Sequence, residues 1–402
     1  MIHNDRGHKA VGSLFVAMCL LVAFIWAGQS KLSAQPQQPS EKELPLSPVM
    51  QAMLDNPPEI QELSAMSATT CVNGMAGSYP CENVDLLAFM PTNTIGGGGA
   101  TDAWGWTDSL TGKEYAIATR TDGTAFVDIS DPTNPIYLGN LPSETGTSTW
   151  RDAKVYSDTV YIVSDGNGNH GLQVFDLTVL RGVITPPVTF SETYHYSNFG
   201  SAHNIVINEE SGYAYAVGVS SGTTTCSGGL HMIDLSDPHT PTFAGCYSTD
   251  GYTHDAQCVI YNGPDADHQG DEICFNSNGY SGFFIADVTN KGAPVHLSST
   301  SYSLQSYTHQ GWLTDDQRYF VLDDELDEIN HGINTRTRVF DVSDLDATPV
   351  LIGYYDAPVP STDHNLYLKD GFAYEANYSS GMRILNISDV ANANLTQAGY
   401  FD

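Results

Sequence analysis

Four histidines stand at the head of four related segments. They are His203 in SAHNIVI, His254 in YTHDAQCVI, His309 in YTHQGWL and His364 in TDHNLYL. Each is followed by a small polar or acidic residue and then an apolar-rich run. Neutral imidazole is a common ligand for zinc, copper, nickel and iron. Asp255 and Asp363 flank two of the histidines, where a carboxylate can orient a ring or join the ligand set. If the fold brings these side chains to one axis, the expected chemistry is a metal or anion site. The competing reading is structural, with each ring bonded to neighbouring backbone. Repetition does not separate the two, because both roles repeat.

The histidines lie 51, 55 and 55 residues apart. A period of about 40–55 residues with several strands per repeat is the mark of a β-propeller. An apolar strand ending in Asp-x-Ser or a variant recurs at Asp128, Asp176, Asp234, Asp287, Asp341 and Asn386. The side chain can cap the following turn by accepting from its backbone N–H groups. A further strand follows, as in IYLGNLP (136–142), PTFAGCY (241–247), PVLIGYY (349–355) and LTQAGYF (395–401). The expectation is an all-β propeller of four-stranded blades over residues 70–402. Its six inner strand sets start near Trp104, Trp150, His203, His254, His309 and His364. NVDLLAFMP (83–91) reads as a seventh outer strand, which makes the complete protein seven-bladed with inner strands beyond Asp402. The alternative is a six-bladed ring with 83–91 as an extra edge strand.

In a propeller the first strand of each blade lines the channel, so the histidines would form an arc at one mouth. Arg151, Trp150 and Trp104 would complete it as substrate-binding groups, Arg151 for an anion. A second metal candidate is PDADHQGDE (264–272), where Asp265, Asp267 and Gln269 match the start of a calcium loop and Glu272 substitutes for the missing closing ligand. The acidic run Asp323, Asp324, Glu325, Asp327, Glu328 reads as a solvated loop face. Gly279-Tyr280-Ser281-Gly282 lacks the pattern and the strand-turn-helix context of a serine nucleophile. No catalytic signature stands out.

Lys and Arg number 15 against 47 Asp and Glu, a formal net charge of −32. Nucleic acid and anionic lipid need clustered cations and are excluded as partners. Residues 1–34 read as a secretory signal, with a basic start and an apolar core from Leu14 to Trp26 that is short for a membrane span. Residues 35–69 read as a disordered Pro/Gln-rich linker. Apart from Cys19, the six cysteines fall into near pairs, Cys71–Cys81, Cys226–Cys246 and Cys258–Cys274, which suits disulfides in an oxidising compartment. The expected location is secreted or cell-surface, with no transmembrane span in the mature chain.

Segments such as GGLHMIDLSDPHTPTFAGCYSTDGYTHDAQCVIYNGPD and DHNLYLKDGFAYEANYSSGMRILNISD resemble the bacterial choice-of-anchor B family, a propeller of LVIVD-type repeats. The resemblance covers roughly residues 70–402. It implies a secreted or surface-attached propeller whose last blade and C-terminal anchor are lacking here, and it supplies no reaction. The functional expectation is therefore a binding, adhesion or scaffold module for a protein, glycan or small molecule. A metal sits at the channel mouth (zinc or another transition metal) and calcium at a loop. The alternative is a hydrolase, lyase or oxidoreductase that uses the histidine arc to hold its metal.

Overall fold

The computed structural model describes residues 64–402. The signal segment and most of the linker expected over 35–69 lie outside them. Near the end of that linker, Met66 bridges to Phe89 and Thr69 to Leu86.

The described strands form six sheets, the blades of a propeller, antiparallel except where Val188–Thr189 adds to the edge of blade 1 in parallel. The inner strands are Ala100–Thr107, Arg151–Tyr156, Asn204–Asn208, Asp255–Ile260, Thr308–Leu313 and Asn365–Lys369. Blade 3 shows the repeat: Asn204–Asn208, Tyr213–Val217, Leu230–Asp234 and Thr242–Tyr247 pair in order from the axis outwards. The capping expected from the Asp-x-Ser marker holds in all six blades. Asp128, Asp176, Asp234, Asp287, Asp341 and Asn386 each accept the N–H two residues on, at 2.7–3.0 Å. Just before this residue the ladder slips by one in blades 1, 3, 4, 5 and 6. Gly245 stands opposite the slip in blade 3, where a Cβ would lie 2.0 Å from the Lys291 carbonyl oxygen. The glycine lets the next blade's loop close onto the outer strand.

Apolar cores fill the spaces between successive blades, from blade 1 against 2 through blade 5 against 6. The last junction is built differently. Met90 and Ile95 pack on Ala118, Ala125 and Val127 of blade 1, and Trp104 meets Tyr367 of blade 6 at 5.6 Å. Residues 83–91 are therefore not the outer strand of a seventh blade. They bridge to the chain just before them, and Tyr79–Glu82 instead adds an edge strand to blade 6 through Cys81 opposite Phe401.

Side-chain staples join the inner strands. Asp102 accepts from Ala153 N–H (3.4 Å), Asp152 from Ile205 (2.8 Å), Gln257 from Leu313 (2.7 Å) and Gln310 from Leu366 (2.7 Å). They set the register of the channel. Asp102, Asp152, Asn204, Asp255, Gln310 and Asn365 are equivalent, so the histidine level is completed by Thr101 and Arg151. Trp104 sits three residues further along, inside the channel.

The three expected disulfides are present. Beside Cys226 lies His231, wholly buried. Its Nδ1–H donates to the Thr224 carbonyl (2.9 Å), so Nε2 accepts from the Tyr196 hydroxyl (2.8 Å). Burial pushes this imidazole down from 6.5 to about 4. The unfolded chain therefore binds the extra proton first. Its contribution to stability is complete above pH 6.5 and falls as pH drops towards 4, by up to roughly 3 kcal/mol. Thermal unfolding across that range should show the fall, and His231→Gln should make it shallower.

Candidate metal centre at the channel mouth

His203, His254, His309 and His364 stand side by side in the order of their blades. Successive ring centroids are 4.3, 4.4 and 4.4 Å apart. His254 and His309 are almost fully buried. Gly218, at φ +60°, forms part of the supporting wall, since a Cβ there would lie 2.6 Å from the His203 Cβ.

The hydrogen bonds distinguish the two nitrogens of each ring. His203 Nδ1 meets Asp165 Oδ2 at 3.1 Å. His254 Nδ1 meets the hydroxyls of Tyr252 and Tyr307 at 3.1 and 3.0 Å. His309 Nδ1–H donates to the His364 carbonyl at 2.7 Å. In all three rings Nε2 is left for another partner, the arrangement that outer groups impose on metal-bound histidine. The Nε2 of His254 is buried and has no hydrogen-bond partner. With the ring kept neutral by burial, the Nε2 of His309 carries a lone pair, and it faces Glu325 Oε2 at 3.7 Å. A lone pair opposed to a buried carboxylate is stable when a cation lies between them. Ligand atoms of His309, Glu325 and His364 come within 4.8 Å of one another. Tyr378 holds the other carboxylate oxygen of Glu325 at 2.5 Å.

Electrostatics keep three of these rings neutral and ready to bind. Burial, then the charge of neighbouring histidines, lowers His254 well below the imidazole range and His309 and His364 to about 3. Burial also opposes charge on His203, but the hydrogen bond and charge of Asp165 outweigh it and raise the ring.

Other expected ligands lie elsewhere. Asp363 is wholly buried among acidic residues of blade 5. Asp255 lines a cavity of about 310 Å³ further along the channel with Trp104, Lys154, Trp312 and Tyr367. Burial, then Asp152, raises its carboxyl to about 7. Arg151 does not face the mouth. It is buried between blades, donating to Ser143 (2.8 Å) and Gln173 (3.3 Å), and burial lowers it to about 10. Trp150 is the one expected mouth aromatic that is placed there, 6.4 Å from His203.

The calcium loop is not assembled as expected. Asp265 accepts from Asp267 N–H (3.1 Å) and from Leu345 N–H (2.8 Å), and Gln269 donates to the Gly263 carbonyl. Glu272 is buried and already fully occupied by blade 3 and Lys291. Nor is the run from Asp323 to Glu328 a solvated face, since all five acidic residues are buried. The sequence reading missed Glu325, Tyr252, Tyr307 and Tyr378 as partners of the histidines. A signal existed for two of them, because Tyr-Thr-His occurs at both 252–254 and 307–309.

The sequence pattern described as the LVIVD repeat matches residues 113–141 and 199–249. No curated protein matches the chain. Among solved structures, a protein of Bacteroides uniformis named for a 6-phosphogluconolactonase is similar at 12% identity. It covers 85% of this chain and 100% of its own, with a TM-score of 0.53. The periplasmic gluconolactonase of Pseudomonas aeruginosa is similar at 10% identity, covering 84% and 96%, with a TM-score of 0.52. At these identities the likeness establishes the propeller fold. Among the described residues no helix is long and apolar enough to cross a membrane, and the three disulfides fit an oxidising compartment.

Proposed function

We propose that this chain is an exported propeller that holds a divalent transition metal at one channel mouth and presents it to a ligand arriving there. His309, His364 and Glu325 would hold the ion, with His254 and His203 next along the arc. The observation that carries this reading is the pattern of ring nitrogens: Nδ1 engaged in three successive histidines, with the free Nε2 of His309 opposed to Glu325 at 3.7 Å. Imidazole with one carboxylate suits zinc, iron, nickel or copper. Bound there, the ion would act as a Lewis acid towards an oxygen or nitrogen donor. The role is that of a secreted or surface-attached binding module, its ligand a protein, glycan or small molecule.

A metal-dependent hydrolase is the second reading, and Glu325 favours it. Its carboxylate stands beside the proposed ion, steadied by Tyr378, where it can accept a proton from a bound water. The lactonase names of the similar structures belong to those proteins.

Elemental analysis of the purified mature protein tests the proposal. A near-stoichiometric transition metal is expected. His254→Ala with His309→Ala should lose at least tenfold of it while the disulfides and propeller remain. No metal in either protein, with the variant merely less stable, would make the histidines structural. Hydrolysis of ester or lactone substrates that is lost in Glu325→Gln, with metal retained, would select the second reading.

A further inference from the structure

Next to the histidine centre, blade 5 and the approach to blade 6 enclose a group of carboxylates. Asp323 is the penultimate residue of the strand Tyr319–Asp324, Asp327 and Glu328 open the short helix Asp327–His331, and Asp363 precedes the inner strand Asn365–Lys369. Asp323, Asp327 and Asp363 have no exposed surface, and Glu328 has 6%. Ligand oxygens of Asp327, Glu328 and Asp363 lie within 4.8 Å of one another. The cation in contact is Arg338, paired with Asp327 and also packed over Tyr302.

A crowd of acidic residues alone points to nothing. Here the oxygens themselves are unpaired. Both carboxylate oxygens of Asp363, both of Asp323, one of Asp327 and one of Glu328 are buried without a hydrogen-bond partner. Asp324 provides the contrast, accepting from Ser306 N–H, Tyr307 N–H and the Tyr302 hydroxyl at 2.6–2.9 Å. Leaving one buried carboxylate oxygen unmatched is costly, and six together demand compensation. One guanidinium would not neutralise the four groups were all of them ionised.

We infer that Asp327, Glu328 and Asp363, with Asp323 beside them, form a second, separate cation site, which binds calcium. The donors are all carboxylate oxygen, the preference of a hard cation, with no imidazole or thiolate to select a transition metal. Calcium accepts six to eight oxygens at flexible angles, whereas magnesium keeps its own waters and avoids an all-protein cage. The ion ties the insertion of blade 5 to the start of blade 6.

The test uses the mature protein stripped with EGTA, to which calcium chloride is returned at millimolar concentration. Thermal unfolding of the wild type should rise by roughly 5 °C or more. Asp363→Asn should lose that rise. Without calcium it should unfold at or above the wild-type temperature, since one of the crowded charges is gone. This crossing of the two curves is not expected of a merely structural aspartate. Terbium, sensitised by Tyr302, should bind the wild type and be displaced by calcium, with at least tenfold weaker binding in Glu328→Gln. His254→Ala with His309→Ala should keep the full calcium response, so failure of the transition-metal reading would leave this result intact. A wild type whose unfolding ignores calcium, or an Asp363→Asn protein that still responds, would overturn the inference. If Asp363→Asn does not fold, terbium binding that calcium fails to displace from the wild type would overturn it equally.

Discussion

Lys154→Met is expected to lose about 3–5 kcal/mol of folding stability near pH 8, and distinctly less near pH 5. The Lys154 ammonium lies 2.5 Å from Asp152 Oδ1 and 4.5 Å from the centre of the Trp104 ring. Its side chain is 13% exposed and that of Asp152 is 6%. Burial raises the Asp102 carboxyl well above its usual range, partly countered by Lys154. Burial also works against the Asp152 carboxylate, but the charge of Lys154 together with the hydrogen bonds from Asp102, the Ile205 N–H and Lys154 holds that group low. Methionine keeps the aliphatic stem and removes the charge, so two staple carboxylates remain in the channel wall with no cation. Their folded pKa values then both stand above the unfolded value of about 3.9. Stability in the variant is retained in acid, where they are protonated, and lost as pH rises through those values. Urea unfolding of both proteins at the two pH values measures the effect. An equal deficit at both would assign the loss to packing instead of charge.

Glu272→Gln should be comparably severe, at about 3–5 kcal/mol. Glu272 is 3% exposed. Its Oε1 accepts from Asn208 (2.7 Å), Ser211 (2.6 Å) and Tyr215 (2.5 Å), all in blade 3. Its Oε2 meets Lys291 Nζ at 2.6 Å. The amide would turn a donor towards the ammonium and leave that charge without its partner. Lys291 also donates to the Val288 carbonyl (2.9 Å) and packs over Tyr213, so it is not free to swing into water. Adding Lys291→Met should recover part of the loss, since an empty pair costs less than half of one. Chemical denaturation of the single and double variants decides this. If Glu272→Gln alone unfolds like the wild type, the carboxylate is not the tie between blades 3 and 4.

Glu272 also shows why site residues were harder to read than the fold. In the chain it ends an acidic turn and looks like a loop ligand. Its true partners lie 57–64 residues earlier, on the neighbouring blade. Asp363 and Glu325 changed places for the same reason. Asp363 adjoins a histidine in sequence yet joins the carboxylates of blade 5, whereas Glu325 belongs to an acidic run yet reaches His309. Neighbours along a strand point to opposite faces of the sheet, so adjacency in sequence is poor evidence for adjacency in a site. Burial was equally hidden. Five acidic residues between 323 and 328 suggest a wet loop, and only tertiary packing takes them out of water: Ser306, Tyr307 and Tyr302 cover Asp324, His309 and Tyr378 meet Glu325, and Arg338 pairs with Asp327.

What the sequence by itself determined was the repeat. Strand alternation, the Asp-x-Ser cap and the spacing of the four histidines are local signals, and each recurs often enough to identify a propeller and to place the imidazoles in successive blades. The near-paired cysteines were legible for the same reason. Tertiary structure alone decided that the ring has six blades among the described residues, with 83–91 folded back on the preceding chain. It decided also which side chains meet at the channel mouth, and that the tautomer of His309 opposes a lone pair to Glu325. These depend on contacts between blades about fifty residues apart, and on how little water remains between them.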